Sequence, residues 1–96
     1  MERSEKIEKN ERFILVEIYK DNNIKTMIGS FDSVCKEVEY QLNKIEENKN
    51  HYFNIVSAII YDRKYSDETM LDCYYEVSNR LLYSQFIDSY FGDESL

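Results

Sequence analysis

The chain has no proline and only two glycines, Gly29 and Gly92, in 96 residues. Phosphate-cradling loops need glycine so that the backbone can approach an anion closely with φ > 0. Two isolated glycines exclude a Walker loop and a dinucleotide fingerprint, and no other cofactor motif is present. There is one histidine, His51, and two well-separated cysteines, Cys35 and Cys73. They form no CxxC or HxxxH pairing, so no metal site is expected. No apolar run approaches the roughly 20 residues of a membrane span. The opening residues are charged and have no apolar h-region, which predicts no secretory signal and reduced thiols in a cytoplasmic setting. A membrane partner is not expected.

Glycine, alanine, arginine and proline total seven residues, whereas Phe, Tyr, Met, Ile, Asn and Lys total 43. By the genetic code that bias points to an AT-rich bacterial or phage source. Apolar residues make up 43% of the chain, enough for an ordinary globular core. Length allows one domain. Residues 1–11 alternate acids with Arg3, Lys6 and Lys9 and read as a charged flexible tail, which leaves 12–96 as the domain.

Periodicity predicts an α+β fold of order β-β-α-β-α. Ile14, Val16 and Ile18 share one parity, and Phe13, Leu15, Glu17 and Tyr19 the other. Asp21-Asn22-Asn23 is a turn cluster, after which Ile24, Thr26 and Ile28 resume an extended pattern, completing an N-terminal hairpin. Ser30 or Asp32 can cap a helix whose stripe is Phe31, Val34, Val38, Leu42 and Ile45 and which ends near Glu47. Residues 52–61 form the most apolar run and read as a strand buried on both faces, with a buried helix as the competitor. Ser66-Asp67-Glu68 opens a second amphipathic helix that runs towards Gly92. A helix over 67–91 would be about 37 Å long. Either it breaks near Ser84-Gln85 or its far end packs on another chain.

Catalytic constellations are sparse. A Cys35–His51 dyad can be written down, but Cys35 lies beside an apolar stripe, where cysteine is usually a small hydrophobe. Adjacent carboxylates such as Glu46-Glu47 diverge on a helix and do not make an acid/base pair. The chain is therefore expected not to be an enzyme.

Charge is more informative. The net charge is −7, and the last third carries seven acids against Arg80 alone. On the second predicted helix Glu68, Asp72 and Glu76 fall at i, i+4 and i+8, about 6 Å apart, where like charges cost roughly 0.2–0.5 kcal/mol per pair. Arg80 can pair with Glu76. Six of nine tyrosines lie between 61 and 90, and Tyr75 and Tyr83 fall on the acidic side, where large rings with polar ends suit a binding surface. Glu68, Asp72, Tyr75, Glu76 and Tyr83 are the candidate partner-binding residues. A solvated face kept acidic for solubility gives the same pattern, and tyrosine is also common at core edges.

Clustered Lys/Arg is lacking, so nucleic acid is not expected as a direct partner. The expected partner is a basic protein that handles nucleic acid, its groove filled by acids and tyrosines. In composition the chain resembles phage-encoded inhibitors such as anti-CRISPR proteins and DNA mimics, which implies a non-catalytic inhibitor in the bacterial host cytoplasm. The alternative is a structural or assembly subunit that homodimerises through Leu82, Phe86 and Tyr90, with Leu81 and Phe91 widening that apolar arc.

Overall fold

The structure is a computed structural model that describes residues 8–47, 55–65 and 74–96. The predicted hairpin is present as β1 (Phe13–Tyr19) and β2 (Ile24–Gly29), paired antiparallel with Val16 opposite Thr26. Asn22 takes the left-handed backbone that the turn demands (φ 70°), and Asp21 Oδ1 accepts from the Asn23 N–H at 3.1 Å.

Helix α1 spans Phe31–Glu47 and buries Val34, Cys35, Val38 and Leu42. Of the two candidate caps it is Ser30 whose Oγ accepts from the Ser33 N–H, at 3.1 Å. The helix begins so close to β2 that a Cβ on Gly29 would stand 3.1 Å from Ser33 Cβ. Strand β3 (Ile55–Asp62) pairs antiparallel with β1, and a short 3-10 turn follows at Arg63–Tyr65.

The remainder departs from expectation. Tyr74–Glu76 is not helical: it is β4, a short edge strand paired with β3 through Tyr61–Tyr74 and Ile59–Glu76. Helix α2 covers only Arg80–Ser89, and Asn79 caps it with an Oδ1 that accepts from the Leu82 N–H at 2.9 Å. Nothing breaks at Ser84-Gln85, because the long helix never forms in the described part. Gly92, with φ +86°, lies three residues beyond the end of α2. The order is thus β-β-α-β-β-α, an α+β fold with a four-stranded antiparallel sheet β2-β1-β3-β4.

Both helices pack on one side of that sheet. The core contains Phe13, Leu15, Ala58 and Ile60 from the central strands, Val34, Val38 and Leu42 from α1, Val77, and Tyr83, Phe86 and Tyr90 from α2 and its C-cap. At one end Phe13, Phe31, Tyr75, Phe86 and Tyr90 form a ring cluster, mostly edge-to-face, with Tyr75 and Phe86 5.1 Å apart and Phe13 and Tyr90 5.6 Å apart, and with Phe31 stacked on Phe86. Such ring pairs add roughly 0.5–1.5 kcal/mol each beyond the area they bury.

Residues 8–11 of the predicted tail belong to the fold. Lys9–Glu11 is a 3-10 turn, and Arg63 Nη1 donates to the Glu11 carbonyl at 2.7 Å. Residues 1–7 lie outside the described residues. No helix of the described chain is long and apolar enough to cross a membrane.

Candidate functional site: the open face of the sheet

The expectation that β3 is buried on both faces is not met. Its inward side chains Ala58, Ile60 and Asp62 are buried, while Ser57, Ile59 and Tyr61 point away from both helices and stay half-exposed. Pairing register carries that second face across the whole sheet. One row reads Ile28, Ile14, Tyr61, Tyr74; the next Thr26, Val16, Ile59, Glu76; the third Ile24, Ile18, Ser57. Among the described residues, none of these side chains belongs to the core or packs against it. Ile24 is 64% exposed and Ile28 56%. The register shift between Ile18 and Tyr19 skips Val56, which is exposed as well. With strands about 4.8 Å apart and about 3.4 Å per residue, the face has a footprint of roughly 300 Å², the size at which an exposed apolar patch on a monomer is often functional. Among the described residues, Glu76 at the β4 edge is the face's one carboxylate, and the face has no lysine, arginine or histidine. Tyr61 and Tyr74 meet across the β3–β4 ladder with centroids 5.7 Å apart and rings tilted by 39°.

The buried face holds the charges instead. Arg12 makes a bidentate pair with Asp62, Nε to Oδ1 at 2.9 Å and Nη2 to Oδ2 at 2.8 Å. Tyr90 OH donates to Asp62 Oδ2 at 2.5 Å, and the Lys64 N–H donates to Oδ1 at 3.1 Å. The Arg12 guanidinium lies 5.0 Å from the Phe13 ring centroid, donates to Ser95 Oγ at 2.9 Å and has Asp93 at 3.7 Å. The bond to Asp62 raises the Arg12 pKa, and burial raises that of the Tyr90 phenol. This network ties the C-terminal segment to β1 and β3. An open cleft of about 380 Å³ beside it is lined by Lys9, Arg12, Phe13, Ser30, Phe31, Asp32, Ser95 and Leu96. The size suits a small molecule, but the guanidinium at its edge is already held by Asp62 and Ser95.

Glu17 is the less satisfied group. It is 1% exposed, with Tyr19 OH donating to Oε1 at 3.1 Å and, among the described residues, no donor for Oε2, which leaves the Glu37 carboxyl as its polar neighbour. Burial, and then the neighbouring Glu37 carboxylate, push its pKa up from 4.5 to about 7. Lys25, 3.5 Å from Glu37, opposes that shift.

The predicted partner-binding residues do not come together on one helix. Glu68 and Asp72 lie outside the described residues. Glu76 is exposed on β4, so it cannot continue a helical row, and Arg80 pairs with Glu46 of α1 at 3.0 Å, not with Glu76. Tyr75 is half-buried against Phe86 and Tyr90. Tyr83 is 5% exposed, its OH donating to Glu39 Oε2 at 2.8 Å. Because β4 interrupts the chain, the helical phase restarts at Arg80 and places Tyr83, Phe86 and Tyr90 on the core stripe. Phe86 and Tyr90 are therefore not available for self-association, and Leu82 is half-buried. Leu81 and Phe91 are the exposed apolar residues of that segment.

His51 lies outside the described residues. Burial pushes the Cys35 thiol up to about 11, the opposite of what a nucleophile needs. Among the described residues no group of three or more His, Cys, Asp or Glu side chains could hold a metal ion. Sequence reasoning missed the open face, Arg12–Asp62 and β4. The signal for the face was there: Ile14, Val16 and Ile18 alternate with a parity that already contained Phe13 and Leu15, and one small domain has helices enough for one side. No protein-family model, curated protein or solved structure matches the chain.

Proposed function

We propose that this chain is a non-catalytic protein-binding module that docks through the open face of its sheet. The supporting observation is the three-row apolar surface centred on Val16 and Ile59, with both helices on the other side. Leaving that much apolar surface in water is unfavourable at roughly 25 cal/mol per Å², so a partner that covers it gains most of its binding energy there.

A second reading keeps the inhibitor of a basic nucleic-acid-handling protein. Its support is that Glu76, Asp88 and Glu94 are exposed, while Arg80, the only cation after residue 65, turns to α1. The acids remain unneutralised by their own segment, as a surface for a basic groove requires.

Affinity capture from nuclease-treated bacterial lysate, at low and high salt, separates the two. Docking through the sheet face predicts that whatever the protein retains persists at high salt and is lost with Val16→Lys. The acidic reading predicts loss at high salt and with Glu76→Lys. Retention indifferent to Val16→Lys contradicts the sheet-face reading.

A further inference from the structure

The open face carries a specific partner argument, which rests on the docking reading above. Its rows are apolar or hydroxyl-bearing, with Glu76 alone charged, at one edge, in a chain of net charge −7. A foreign partner selected by charge finds nothing to select here. A two-fold axis, by contrast, needs only that the patch complement itself, and an uncharged apolar sheet face does so without any matching of opposite charges. We propose that the occupant is a second copy of this chain, stacked face to face through Val16, Ile59 and their neighbours.

Two twisted antiparallel sheets pack about 10 Å apart with their strands roughly 30° off parallel, and side chains of the two faces interdigitate. Ile14, Val16 and Ile59 lie on the two central strands and so form the middle of the contact, where fully desolvated residues dominate affinity. Tyr61 and Tyr74 fall towards the border, where a ring can be covered while its hydroxyl reaches water. Stacking two such footprints covers about 600 Å² of sheet, and because the side chains stand proud of the sheet the accessible surface removed is larger, on the order of 1,000 Å² in total, the lower end for a specific interface. That size predicts a dimer of micromolar dissociation constant and not an obligate one. Because both copies are acidic and the contact is apolar, salt screens the repulsion and tightens the dimer, opposite to any acid–base interface.

Analytical ultracentrifugation tests this on the intact chain. The expected result for the wild type is a mass rising with concentration from 11.6 kDa towards twice that, with a shift to lower concentration at higher salt. Val16→Lys on the central strand should stay monomeric while its circular dichroism remains that of the wild type. Leu81→Lys on the exposed side of α2 should dimerise as the wild type does. Thr26→Cys, read by the rate of maleimide labelling at that peptide, reports whether the face is bare. Labelling should be slow when concentrated and at least about tenfold faster on dilution. A wild type monomeric at about 200 µM with Thr26→Cys labelled rapidly overturns the second-copy assignment and leaves the docking face for another protein. A monomer with Thr26→Cys protected at every dilution means that the chain covers its own face, which overturns both. A dimer unaffected by Val16→Lys, or dissociated by Leu81→Lys, places the interface on an edge or on α2 and overturns the face-to-face assignment.

Discussion

Along β1 the side chains alternate Phe13, Leu15, Glu17 inward and Ile14, Val16, Ile18 outward; along β3, Ala58, Ile60, Asp62 inward and Ser57, Ile59, Tyr61 outward. The two carboxylates of the central strands are thus under the helices, and three isoleucines with a valine and a tyrosine are on the side the helices leave bare. Antiparallel sheets with one solvated face normally show the reverse. Burying charge is tolerable only where partners are supplied. Asp62 has four hydrogen bonds from Arg12, Tyr90 and the Lys64 backbone, whereas among the described residues Glu17 accepts one, from Tyr19, and faces a second carboxyl, Glu37. The two faces answer to different requirements: the inner one holds three elements in register, and the outer one, on the docking reading proposed above, is the face a partner covers.

The largest effect expected on the inner face is that of Asp62→Ala. It leaves the Arg12 guanidinium buried without its bidentate partner and should cost about 3–5 kcal/mol, measured by urea denaturation. If the loss is below about 1 kcal/mol, the ion pair does not hold the C-terminal segment as described. Tyr90→Phe keeps the ring cluster and removes only the hydrogen bond to the charged Asp62, so its cost should be smaller, about 1.5–3 kcal/mol.

Glu17 sharpens the contrast because removing its charge should help. Its folded pKa, about 7, lies above the 4.5 of an unperturbed side chain, so between those values the native state binds a proton that the unfolded chain has released. Stability is therefore full below about pH 4.5, declines as pH rises through about 7, and levels off above. Glu17→Gln should gain on the order of 1–2 kcal/mol at about pH 8 and change little at about pH 4.5. Equal effects at both pH values would show that Glu17 is already paired and ionised. On the outer face the smallest change in stability is expected. Val16→Lys should alter the unfolding free energy by less than about 1 kcal/mol, although it removes the apolar centre of the docking surface. A large loss of stability would mean that the face is already covered within one chain.

Hairpin and first helix were legible because each segment has one dominant period and a clear punctuation: Asp21-Asn22-Asn23 between the strands, Ser30 before the stripe of Phe31, Val34, Val38 and Leu42. The C-terminal third was misread because Tyr74–Glu76 is a strand of only three residues, too short to show alternation, and its Tyr74 and Val77 also fit a helical stripe. Carrying the helical phase through it placed Tyr83 outside and made Phe86 and Tyr90 candidates for self-association. Asn79, whose side chain caps α2, was the local sign of a new start. The strand at residues 55–62 was recognised by its β-branched and aromatic content, but its two-sided apolarity was taken as two-sided burial. Composition shows which side chains avoid water; which of them are covered depends on where the helices go, and both cross the same face. Arg12–Asp62 is a pairing fifty residues apart, set by the β1–β3 register and invisible to any local pattern.

Isotope-filtered NMR on a mixture of labelled and unlabelled chains addresses the outer face directly. Face-to-face pairing predicts intermolecular contacts from the methyl groups of Ile14, Val16 and Ile59 to the same face of another copy, strengthening with concentration. Intermolecular contacts confined to Leu81 and Phe91, or none at a concentration where those methyls remain exposed to solvent, would contradict it.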